Sequence, residues 1–83
     1  MDFLGQNDKS GRNFMDERIE ALGAAVREAR QRRELSQEQL ASMMGTDQSA
    51  IARLEAGKIN SGIGTYIRAA DALGIPFKSL VNF

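Results

Sequence analysis

Residues 37–54 read QEQLASMMGTDQSAIARL. Ser36, just ahead of this stretch, is followed three residues later by Gln39, a capping box that starts a helix. That helix carries Leu40, Ala41 and Met44 on its apolar side. It stops at Gly45, where a left-handed backbone is cheap only for glycine. Thr46 is placed to cap the next helix, which carries Ile51 and Leu54 and ends at Gly57. Ile51 and Leu54 then point back at Leu40 and Met44. Ala41 is small at the point where a neighbouring helix must approach closely.

Two short helices joined by one glycine turn, crossing steeply over a small residue, meet the requirements of a helix-turn-helix. An isolated helical corner in an enzyme has the same spacing, so the spacing by itself leaves both open. On the N-terminal side, Ile19, Leu22, Val26 and Ala29 recur with helical spacing and predict a helix over about 16–33. Beyond Gly57, residues Asn60–Gly62 read as a loop. A fourth helix places Ile63, Tyr66, Ile67, Ala70 and Leu73 on one face. Gly74 followed by Pro76 is a stop signal, and Phe77, Leu80 and Val81 suggest a last short helix. No segment alternates with period two, so no sheet is expected. Residues 1–15 are polar and aperiodic and read as a flexible leader, with Phe3, Leu4 and Phe14 as apolar points and Met15 as an alternative start. The domain proper is expected over 16–83.

Composition removes whole classes of chemistry. The 83 residues contain no cysteine and no histidine, so no disulfide framework, thiolate metal site or imidazole base is available. Carboxylate chemistry survives in principle, but a chain this small has little room for a substrate cleft. An enzyme is therefore not expected, and no cofactor or metal is implied. No window approaches the roughly 18 consecutive apolar residues of a membrane helix. The N-terminus lacks the pattern of a signal peptide, so a cytoplasmic protein is expected. Formal net charge is zero, so no global basic field advertises a nucleic-acid partner. The distribution is less even: residues 1–17 carry −2 and the remainder +2. Arg27, Arg30, Arg32 and Arg33 crowd one stretch with only Glu28 opposing, a run whose simplest reading is a solvated helix face.

Arg30, Ser36-Gln37-x-x-Leu40-Ala41, Gly45, Ile51-x-x-Leu54-Glu55-x-Gly57-Lys58 and Ala69-x-x-Ala72-Leu73-Gly74-Ile75 stand in order along the chain. Together they resemble the Cro/cI-type helix-turn-helix family, over about Leu22–Val81. The resemblance implies an all-α, compact five-helix fold of the lambda-repressor type. It also implies binding to double-stranded operator DNA through the third helix, as a homodimer on a palindromic site. Under it, Arg30 and Glu55 form a structural ion pair between helices. Two features depart from the family's usual pattern: Thr46 stands where an apolar residue is commoner, and Ser61-Gly62-x-Gly64 replaces a loop that often holds proline.

The resemblance also implies which residues meet DNA, and each implied role has a physical reason. Gln37 opens the second helix, whose exposed amides and positive dipole end suit a phosphate; the alternative is a plain solvated glutamine. On the third helix Ile51 and Leu54 fix the inward side, leaving Gln48, Ser49, Ala52 and Arg53 outward. Glutamine pairs with adenine and arginine with guanine in the major groove, and alanine can touch a thymine methyl. Asp47 at the groove-facing end stabilises the helix but repels phosphates. Lys58 and the amides around Asn60 are candidate phosphate contacts. Ile75–Phe83 offers either a dimer surface or simply a closed core. Three functions remain in view: a repressor that occupies its operator, an antitoxin or other module that binds a toxin or partner protein and autoregulates, and an enzyme, which composition disfavours.

Overall fold

The computed structural model describes residues 14–58 and 62–83. The expectations for a leader with Phe3 and Leu4, and for phosphate contact around Asn60, lie outside the described residues. Among the described residues four α-helices run in order: α1 (Phe14–Arg32), α2 (Gln37–Met44), α3 (Gln48–Glu55) and α4 (Ile63–Leu73), followed by a 3-10 helix (Phe77–Leu80). The fold is all-helical, with no strand among the described residues. α1 begins at Phe14, two residues ahead of the expected start. Asp16 and Glu17 in its first turn and Arg30 and Arg32 in its last complement the helix dipole.

Among the described residues the core is a cluster of Leu22, Val26, Ala29, Leu40, Ala41, Met44, Ile51, Leu54, Tyr66, Ala69, Ala70, Leu73 and Leu80. α2 packs on α3 and α4, and α1 packs on α3 and α4, so α3 is held from two sides with one face left outward. A close approach between helices falls at Gly23, which the sequence pattern does not single out. A Cβ there would stand 2.5 Å from the Glu55 carbonyl oxygen and 2.6 Å from that of Leu54. α1 can therefore cross the end of α3 only through a residue without a side chain. Tyr66 lies fully buried, and its hydroxyl donates to the Leu54 carbonyl at 3.1 Å, tying α4 to α3.

The turn between α2 and α3 differs from expectation in one respect. The capping box at Ser36 and Gln39 is formed, and Gly45 closes α2 in the left-handed region (φ 72°). The amide of Thr46 donates to the Ala41 carbonyl at 2.9 Å, so Thr46 completes the end of α2 rather than starting α3. The cap of α3 is Asp47, whose carboxylate Oδ1 accepts from the Ala50 amide at 2.9 Å. Its backbone is extended (φ −113°, ψ 169°), the conformation that lets a short acceptor reach back to the first turn. α3 also ends at Glu55, two residues short of Gly57.

On α4 the buried stripe is Tyr66, Ala69, Ala70 and Leu73. Ile63 and Ile67, expected on the packed face, are exposed at 52% and 40%. They sit four residues apart on the adjoining stripe, one helical step round from Tyr66. In the final turn Leu80 is buried while Val81 points outward.

Candidate nucleic-acid interface

α3 is amphipathic over eight residues. Ile51, Leu54 and Glu55 are buried. Gln48, Ser49 and Arg53 are exposed, and Ala52 is half-buried among them. The four side chains proposed to meet bases thus share the side of α3 that faces away from the core. Lys58 is exposed just beyond the end of α3.

Behind that face runs a polar network. Arg30 Nε donates to Glu55 Oε2 at 2.6 Å, and its Nη2 donates to Oε1 at 3.2 Å. Arg30 also donates through Nη1 to the Leu35 carbonyl at 2.8 Å, which fixes the turn between α1 and α2. The Arg27 guanidinium, on the next turn of α1, lies 3.5 Å from Glu55 Oε1. Burial pushes the Glu55 carboxyl up, but the bonds from Arg30 and Gln37 and the charges of Arg30 and Arg27 outweigh it. The net direction is below the ordinary carboxylate value. Two guanidinium groups thus face one carboxylate, with Glu38 a further acidic residue in the first turn of α2.

Gln37 is not a plain solvated residue. Its Nε2 donates to Glu55 Oε1 at 3.0 Å, and its Oε1 accepts from Gln48 Nε2 at 2.9 Å. A chain of hydrogen bonds therefore runs from the outward side of α3, through the first residue of α2, to the buried pair between α3 and α1. Nothing in local spacing announces it, because Gln37 and Gln48 are eleven residues apart and meet only across the turn.

The arginine run, expected to be a solvated face, is divided instead. Arg30 is buried against Glu55. Arg33 donates to the Leu73 carbonyl at 2.7 Å, at the end of α4. Arg32 pairs loosely with Glu28 at 3.5 Å, both exposed. Arg68 of α4 similarly donates to the Met44 carbonyl at 3.0 Å. Guanidinium groups on helix-terminal carbonyls satisfy orphan acceptors and complement the dipole. Among the described residues no cluster of acidic side chains could hold a metal ion, and no helix is long and apolar enough to cross a membrane.

A helix-turn-helix family model matches residues 26–80. The chain belongs to the Cro/cI-type helix-turn-helix family. This helix-turn-helix protein is similar to the restriction-modification controller protein C.AhdI from Aeromonas hydrophila. The two are 31% identical with a TM-score of 0.73, over 82% of this chain and 99% of that one. It is also similar to the hypothetical transcription factor NHTF from Neisseria, at 25% identity and a TM-score of 0.71, over 81% of this chain and 78% of that one. No curated protein matches the sequence. The family and these neighbours make the protein a DNA-binding transcriptional regulator and not an enzyme.

Proposed function

We propose that this regulator is a repressor that occupies a palindromic operator as a dimer, with α3 of each subunit in the major groove. The observation that carries the reading is the outward face of α3. Gln48, Ser49, Ala52 and Arg53 lie together there, and Gln48 is braced by Gln37 from behind. Base edges are read by Gln48, Ser49, Ala52 and Arg53, and the backbone is held by Gln37, Lys58 and Asn60. Gln37 uses one N–H on Glu55, leaving the second for a phosphate beside the positive end of α2.

Dimerisation supplies what one subunit lacks. A monomer with zero net charge and few phosphate contacts binds duplex DNA weakly, and two subunits double the contacts. Val81 and Phe83 at the chain end are exposed at 38% and 52% and support a surface for a second copy. The similarity to proteins described as a controller and a transcription factor favours gene regulation over a role confined to binding a partner protein. Selection from a random duplex library tests the reading. A two-fold symmetric site with half-sites about 34 Å apart is expected. Asymmetric sites bound by one protein per duplex would overturn the dimer.

A further inference from the structure

Asp47 is exposed at the turn between α2 and α3, where a carboxylate repels the phosphate backbone. Its Oδ1 accepts from the Ala50 amide at 2.9 Å and caps α3. Capping alone does not call for the charge, because asparagine and serine cap as well. The bond to Ala50 anchors one oxygen. It leaves Oδ2 of an exposed side chain at the end of α3 where Gln48 and Ser49 begin. A carboxylate oxygen only accepts hydrogen bonds. We propose that Asp47 is a specificity-determining residue: its Oδ2 accepts from the N4 amino group of a cytosine and rejects a base that presents an acceptor in that place.

This rests on the proposed function, with α3 as the groove helix. The second helix of a helix-turn-helix meets base edges with its N-terminal residues. In the major groove cytosine N4 and adenine N6 donate, whereas thymine O4, guanine O6 and both purine N7 atoms accept. Adenine N6 lies between two acceptors, its own N7 and thymine O4, and both repel a carboxylate. Cytosine N4 stands at the edge of its pair with one acceptor, guanine O6, beside it. A carboxylate is therefore best placed against cytosine. Thymine in the same place sets oxygen against oxygen.

The test uses the full chain, its selected operator, and duplexes varied one pair at a time. Asp47→Ser keeps a cap but has no second oxygen, so the pair at which it loses discrimination is the one that Asp47 reads. At that pair the unaltered protein prefers cytosine to thymine by about 10-fold or more. Uracil, which carries the O4 acceptor without the methyl group, is rejected equally. In Asp47→Ser the ratio falls to within about threefold. Asp47→Asn is the sharper variant. Its Oδ1 must still accept from the Ala50 amide, so Nδ2 takes the place of Oδ2 and a donor replaces an acceptor. The preference then inverts to thymine and uracil. Other positions keep their preferences. Each ratio is taken within one protein, so the lost charge cancels, and thermal melts confirm that both variants are folded. If one variant does not fold, the other decides. A preference of the unaltered protein for any other base at that pair, an asparagine variant that still favours cytosine, or a serine variant that relaxes no position overturns the inference. The groove assignment stands in each case if Gln48→Ala relaxes a position of its own. If no variant of Asp47 or Gln48 changes any position, α3 does not read the groove, and both readings fail.

Discussion

Arg30 places a guanidinium against a carboxylate whose side chain has no solvent exposure. Removing one partner of such a pair strands the other, at a cost of about 3–5 kcal/mol. Arg30→Ala should therefore lower the melting temperature sharply and reduce DNA binding only through loss of folded protein. Comparing the affinity of the folded fraction with that of the unaltered protein checks this. The same pair sets a pH dependence. Glu55 in the folded protein titrates below its ordinary value of 4.5. Its contribution to stability is thus complete above that pH and is lost as pH falls through the depressed value. Denaturant melts between neutrality and strong acid should show this loss, and Glu55→Gln should flatten it. Tyr66 lies in the opposite situation, with burial pushing its hydroxyl up to about 12, so it stays a donor to Leu54 across the usable range. At this scale the sequence motifs and their resemblance to a family pointed to Arg30 with Glu55. The link from Gln48 to Gln37 was not legible, because it depends on side-chain directions across a turn.

Elements were legible where a local interaction ends or starts them. The Ser36–Gln39 box and Gly45 act within a few residues of chain, and both stand as read. The start of α3 was misplaced by one residue because both Thr46 and Asp47 are good caps, and which one serves depends on how α2 unwinds. Asp47→Ala should therefore cost about 1 kcal/mol of stability, whereas Thr46→Ala should cost much less. Thermal melts of the two variants distinguish them. Ile63 and Ile67 were misassigned because helical spacing fixes a stripe's period but not where its edge meets the core. Gly23 carried only a weak signal, a glycine inside a helical pattern. Its role comes from a helix crossing between parts of the chain some thirty residues apart. Gly23→Ala should destabilise by about 2–3 kcal/mol, since the obstructing atoms are backbone carbonyls that cannot turn aside. A denaturant midpoint close to that of the unaltered protein would contradict the crossing.

For the whole molecule, the packed cluster of the core draws on residues from Leu22 to Leu80. A chain beginning at Met15 should accordingly melt cooperatively near the full-length temperature, and a large loss of helicity would show that the preceding residues pack on the core. Assembly and operator choice are less legible than the fold, because they depend on surfaces and on DNA shape as well as on base contacts.

In the proposed complex the outward face of α3 reads sequence while neighbouring groups hold the backbone. Base contacts discriminate, and phosphate contacts only set register. The most direct measurement is the affinity of Gln48→Ala and Lys58→Ala for the selected operator and a scrambled duplex at several salt concentrations. Gln48→Ala should lose about 1–3 kcal/mol on the operator and little on scrambled DNA. Lys58→Ala should weaken both about equally and reduce the salt slope by roughly one unit. An unchanged ratio of operator to scrambled affinity in Gln48→Ala would contradict the account.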